Sequence, residues 1–198
     1  MDYPEYIKIN SKKYKINTDF RVAIKCNQLA EDDSVKDYER ALGIICMLFG
    51  NEALDDANEN PELYEKFLKG GLKYLSCEEE LEKTNEKADM DFIEDEGYIR
   101  SSFQYDYKYD PYEKEYIHWY KYMNDLKNLS DDEFGICCVL SRVRNLRRIK
   151  LNEIKDAKER EKIRKAQEKV ALKKNKKEFN LTEAQEKSME ELNKIIGL

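Results

Sequence analysis

A mainly α-helical fold is predicted by this sequence: a helical bundle with a small N-terminal β-hairpin and a charged C-terminal helical arm. Three observations carry the prediction. Only 7 Gly and 3 Pro occur in 198 residues, few for a many-stranded β fold or for a TIM or Rossmann fold, which need turn residues throughout. Charged residues make up 39% and hydrophobic ones 40%, a pairing that elongated helices with solvated faces reconcile. Helix-start signals followed by apolar residues at helical spacing recur along the chain, whereas strict alternation is confined to one short stretch.

That stretch is "YIKINSKKYKIN". Ile7 and Ile9 alternate with polar residues and are expected to pair with Tyr14 and Ile16 in a hairpin turning near Ser11-Lys12. A lone two-stranded hairpin is marginal, so it must pack on helices. Thr18 then caps a helix carrying Phe20, Val22, Ile24 and Leu29, and Ser34 caps a second holding Tyr38, Leu42, Ile45 and Phe49. Gly50 and Asn51 end that helix, and "NEALDDANEN" reads as a polar connection. Pro61 suits the first position of a helix with a stripe of Tyr64, Phe67, Leu68, Leu72 and Leu75, weakened by Gly70-Gly71. Ser76 and Glu79 match a short capping box.

A polar linker leads to a helix from Asp91 with Phe92, Tyr98, Ile99 and Phe103. Pro111 breaks it and opens the next, over "YEKEYIHWYKYMNDL" (112–126). Ser130 and Glu133 form a capping box before Phe134, Ile136, Val139, Leu140 and Val143. Thr182 and Gln185 form another before a last helix with Met189, Leu192, Ile195 and Ile196.

Charge divides the chain. Residues 141–177 hold 16 Lys and Arg against 5 Asp and Glu, a net of +11, while the remainder carries 20 against 37, a net of −17. The basic stretch has only a thin apolar stripe of Leu151, Ile154, Ile163, Ala166 and Val170, with helix-surface pairs such as Glu161–Lys165. The expected division is a helical core over 1–150 and a charged arm over 151–198, loosely tied to the core because so thin a stripe offsets little ordering entropy. A break near Asn180 is expected to act as a hinge, and removal of 178–198 to leave the core intact.

The chemistry-bearing residues are few. His118 and Trp119 are the only histidine and tryptophan. On a helix over 112–126, Tyr112, Tyr116, Trp119, Tyr120, Met123 and Leu126 share one face, and His118 lies off it. No nucleophile partners His118, no second His or spaced Cys offers a zinc site, and the acidic runs lack calcium-loop spacing. Neither GxGxxG, GxxxxGK[ST] nor GxSxG occurs. The expectation is no enzyme, no catalytic residue, no cofactor and no metal. Five cysteines without framework spacing, and an N-terminus without an apolar signal, point to a reducing cytoplasm; Cys137-Cys138 reads as buried small hydrophobes. No apolar run is long enough to span a membrane.

What remains is binding. The candidate partner-binding residues are Trp119 and Tyr116, the arginines Arg142, Arg144, Arg147 and Arg148, and Leu192 and Ile196 of the last helix. The arginines allow two readings. They can contact phosphates, although the acidic remainder repels a polyanion and no aromatic platform accompanies them. Or they dock on the chain's own acidic face or a neighbour's.

Ordered blocks of the sequence are familiar: "INSKKYKINTDFRVAIKC", "DYERALGIICMLFG", "LKYLSCEEE", "DMDFIEDEGYIRSSF", "IHWYKYMNDLKNLS" and "LSRVRNLRRIKLNEIKDAKEREKIRKAQEKVAL". Together they resemble the bacteriophage gene-product-15 family over about residues 5–172. The chain departs at Tyr120, where the family often shows a second Trp, and after Leu172, where the family is variable. The resemblance implies a helical protein of phage and prophage tail morphogenesis. The role implied is a tail assembly chaperone, often made with translational frameshifting. It would bind the tape-measure protein, assist tail-tube subunits, work in the host bacterial cytoplasm and be absent from the mature virion. Self-association is a further option. No catalytic residue is implied. The alternative is a nucleic-acid-binding phage regulator using 142–177.

Overall fold

A computed structural model describes residues 3–79, 87–131 and 137–173. Among them are seven α-helices and one two-stranded antiparallel sheet, so the fold is mainly α with a small N-terminal hairpin, as expected. The chain divides into two compact units interleaved in sequence: Met1–Lys83 with Lys108–Asn128, and Thr84–Tyr107 with Leu129–Leu198.

In the first unit, β1 (Tyr6–Ile9) pairs with β2 (Lys12–Lys15). Ile7 lies opposite Tyr14 as expected, but Ile9 faces Lys12 instead of Ile16. The two-residue link Asn10-Ser11 sets that register, and Asn10 takes φ 55°, a conformation asparagine tolerates. Ile9, Tyr14 and Ile16 are all buried, so the alternation did mark the inner face.

α1 (Phe20–Glu31) is capped by Asp19, whose carboxylate accepts the Arg21 N–H at 2.8 Å. Thr18 was the expected cap; its hydroxyl instead meets the Tyr116 hydroxyl at 2.6 Å. Ser34 does not cap either; its N–H donates to the Asp32 carboxylate, and α2 begins at Asp37. α2 (Asp37–Glu59) runs through the polar stretch expected to be a connection. Gly50 interrupts the helix with φ 76°, ψ −174°, backbone open almost only to glycine. Beyond it the chain turns helical again because Ala53 and Ala57, one turn apart, are both fully buried. Two alanines are a faint apolar signal. Asp56 on this segment is held by Lys12 Nζ and by the Tyr14 hydroxyl, each at 2.6 Å.

α3 (Glu62–Leu75) follows Pro61. It buries Leu63, Phe67, Gly71, Tyr74 and Leu75, while Leu72 stays 46% exposed. The glycine that seemed a weakness is a contact point: a methyl group on Gly71 would stand 3.1 Å from Leu48 Cδ1. Ser76 terminates α3, with its hydroxyl on the Lys73 carbonyl, so the expected capping box is a helix end.

The second unit contains α4 (Glu96–Tyr107), α6 (Val139–Arg148) and α7 (Ala157–Val170); α5 (Trp119–Lys127) belongs to the first. α4 starts five residues later than expected, because the Asp91 carboxylate accepts the N–H groups of Ile93 and Glu94 and holds a turn there. Ile99, Phe103, Leu140 and Leu172 are the most enclosed apolar residues of the second unit among those described. Ser130 does not cap α6: its N–H and hydroxyl go to Asp106, at 2.7 and 2.9 Å, and Cys138 stands at the cap position. Cys138 is buried and Cys137 half-buried. α7 buries no residue completely, in keeping with its thin stripe, and carries the Glu161–Lys165 pair at 3.3 Å. The expected last helix, its Thr182–Gln185 box and the break near Asn180 lie outside the described residues, as does Glu133. Among the described residues no helix is long and apolar enough to cross a membrane.

Candidate functional site

Residues 112–126 do not form one helix. Pro111 cannot donate a backbone hydrogen bond, and Asp110 caps a single 3-10 turn over Pro111–Glu113 through the Tyr112 N–H at 2.9 Å. The next residues are drawn into extended pairing with the start of α1. Phe20 N–H donates to the Ile117 carbonyl at 3.0 Å, and Trp119 N–H to the Thr18 carbonyl at 2.8 Å. The Arg21 guanidinium gathers the carbonyls of Tyr112, Lys114 and Glu115. α5 therefore begins only at Trp119.

His118 is its cap. Nδ1 accepts the Tyr120 N–H at 3.1 Å, and Nε2 lies 3.2 Å from the Pro4 carbonyl. The two contacts together require a neutral ring with its hydrogen on Nε2. Tyr3 stacks on the imidazole at 5.0 Å, and the edges of Tyr74 and Tyr120 close around it. Burial lowers the His118 pKa, opposed by the Pro4 carbonyl and the charge of Glu5. Both ring nitrogens are engaged within the fold. Trp119 is 1% exposed, with its indole N–H donating to the Leu75 carbonyl at 3.0 Å. It is a core residue of its unit.

Tyr116 is different. It is 54% exposed and stands at the rim of a groove of about 810 Å³. Its lining includes half-buried Met47 and the buried Leu48 and Phe49, where α2 breaks at Gly50, together with Glu5, Lys15 and Asp19. An α-helix is about 10 Å wide and rises about 5.4 Å per turn, so the space matches one or two turns of a docked helix.

The second unit holds the arginines. Arg147 Nη1 and Nη2 grip the Asp95 carboxylate at 2.6 and 2.8 Å, with side chains 8% and 1% exposed. Arg147 also donates to the Asp89 carbonyl at 2.8 Å and, through Nε, to the Val170 carbonyl at 2.6 Å. Arg144 Nε donates to Asp89 Oδ2 at 3.2 Å, and Arg148 reaches the same oxygen. Arg142 is exposed on the outer side of α6. Three of the four arginines thus meet carboxylates of their own unit, the self-docking form of the two readings. Leu192 and Ile196 lie outside the described residues.

Sequence reasoning missed Asp89 and Asp95. Asp95 sits 52 residues from Arg147, and nothing in the local pattern distinguishes it from other acids. Gly50 was legible as a break but not as one that the helix survives. Among the described residues no group of three or more His, Cys, Asp or Glu could hold a metal ion.

A family described as Bacteriophage Gp15 protein matches residues 2–172. No curated protein and no solved structure matches the chain.

Proposed function

Because this chain belongs to the bacteriophage Gp15 family, we propose that it is a tail morphogenesis factor, a tail assembly chaperone that binds the tape-measure protein and assists tail-tube assembly. It acts without a catalytic step, in the host cytoplasm, and leaves before the virion is complete. The observation that supports this reading is the groove beside Gly50. A tape-measure protein is a long helical chain with apolar stripes, and keeping it soluble calls for apolar grooves with charged rims. Half-buried Met47 and exposed Tyr116, with Lys15, Asp19 and Glu5 in the same lining, give it a mixed apolar and charged surface. The nucleic-acid reading has weaker support, since Arg144, Arg147 and Arg148 are engaged by Asp89 and Asp95.

Co-expression with the tape-measure protein of the same phage tests the proposal. Wild-type chain is expected to carry it into the soluble fraction. Met47→Glu with Tyr116→Glu, which charges lining and rim, is expected to abolish this while the circular dichroism stays helical. A tape-measure protein equally insoluble with and without the wild-type chain would remove the chaperone reading.

A further inference from the structure

The two faces of the hairpin are unlike. On the inner face Ile9 and Tyr14 are buried, and Lys12 is held by Glu52 and Asp56. The outer face carries Tyr6, Lys8, Lys13 and Lys15, all exposed. Among the described residues no carboxylate pairs with Lys8, Lys13 or Lys15. We propose that this face binds an acidic, extended segment of a protein partner, which adds as a third strand along β2 and sets its carboxylates among Lys8, Lys13 and Lys15.

Charge leads to the carboxylates. Lys8 lies directly opposite Lys13, and Lys15 stands on the same face opposite Tyr6. Like charges directly opposite each other destabilise a sheet, and the described residues bring no acid to offset the repulsion. A carboxylate placed over these side chains replaces repulsion with attraction. Tyr6, 53% exposed, sets an aromatic ring at the edge of the same patch.

The backbone decides what carries the carboxylates. Ile16 N–H donates to the Glu5 carbonyl at 2.8 Å, one residue beyond the Tyr6–Lys15 pair. Hydrogen-bonded and non-hydrogen-bonded positions alternate along an antiparallel pair, so Tyr6–Lys15 and Lys8–Lys13 are of the second kind. The N–H and C=O groups of Lys13 and Lys15 therefore point away from β1, and among the described residues no hydrogen bond from another element reaches them. An added peptide strand offers such an edge both donors and acceptors. The phosphate backbone of a nucleic acid offers acceptors alone, and the net charge of −6 opposes a polyanion. Lysines along an edge also discourage pairing with uncharged strands, which leaves an acidic one.

This inference goes beyond the chaperone reading and does not depend on the tape-measure protein. Of the four outer-face residues only Lys15 also lines the groove beside Gly50, and the variant used here leaves it in place. The probe is a fluorescein-labelled peptide of alternating Glu and Thr, titrated against the full chain. Its controls are a Gln-for-Glu counterpart, a fully N-methylated counterpart and a labelled single-stranded oligonucleotide. The Glu peptide is expected to bind roughly tenfold or more tightly than each control, about 1.4 kcal/mol. The Lys8→Gln, Lys13→Gln double variant is expected to lose that advantage without a fall in Tm, since both side chains are exposed. Equal binding of the Glu and Gln peptides, equal binding of the N-methylated peptide, no binding of any, full binding by the double variant, or preference for the oligonucleotide overturns the proposal. Co-expression reports separately on the chaperone reading: a tape-measure protein left insoluble by the wild-type chain removes that reading, while the peptide result stands or falls by itself.

Discussion

Arg147 and Asp95 face each other through two parallel hydrogen bonds of 2.6 and 2.8 Å, out of solvent, across 52 residues of chain. The Asp91 N–H adds a third donor to the carboxylate at 3.0 Å. The pair joins the turn before α4 to the end of α6, and through the Val170 carbonyl it also reaches the end of α7. Breaking one side strands a buried charge. Arg147→Met is expected to cost about 3–5 kcal/mol. Adding Asp95→Leu should return much of that loss, because the orphaned carboxylate goes with it. Urea denaturation of both single variants and the double variant measures the coupling; additive losses would show that the pair is not a unit.

The cost of Gly50→Ala should be conformational alone. No atom lies within 4 Å of the position a Cβ would take, yet φ is 76°. The expected loss is about 1–3 kcal/mol, seen as a fall of about 2–4 °C in Tm for each kcal/mol in a chain of this size. An unchanged Tm would mean that the α2 break relaxes without penalty, and the groove lining with it.

Stability should fall when His118 gains a proton. The folded ring binds a proton more weakly than a solvated histidine, whose ordinary pKa is 6.5. Just below that value the unfolded chain therefore takes up protons that the folded chain does not, so stability rises with pH across this window and is lost on acidification. Protonation also removes the Nδ1 lone pair that accepts the Tyr120 N–H. The urea midpoint of wild type is expected to drop between pH 7.5 and 5.5. His118→Asn, which keeps a capping acceptor that does not titrate, should flatten the profile. Identical profiles would show that the imidazole is not held neutral.

Trp119 should report on the core of its unit and not on partners. Its emission is expected to be blue-shifted and poorly quenched by acrylamide, since the ring is 1% exposed. Trp119→Phe leaves the Leu75 carbonyl without its indole donor, at an expected cost of about 1–3 kcal/mol. Solubilisation of a partner should persist at temperatures where this variant stays folded. Loss of partner binding without loss of stability would return Trp119 to the partner-binding role for which it was a candidate.

The mainly helical character, the hairpin and the family were legible because each rests on information local in the chain. Period-two alternation marked β1 and β2, and helical spacing marked α1, α3 and α6. Blocks in a fixed order identified the Gp15 family without any long-range contact being known. The misread helix caps share one feature. Each involved a polar group with several partners within reach: Thr18, Ser34, Ser76 and Ser130. A hydroxyl caps a helix only if nothing better is nearby, and what is nearby is set by packing.

By itself, then, the sequence determined what kind of chain this is: helical, charged, without the motifs of a known chemistry, and a member of a phage family. Tertiary structure decided which residues are surface and which are scaffold. It buried Trp119 and left Tyr116 out, although they are three residues apart. It turned Arg147 inward to Asp95 while Arg148, its neighbour, stays exposed. The physical reason is that a side chain's exposure depends on the elements packed over it, and burial is favourable or costly according to partners that lie tens of residues away.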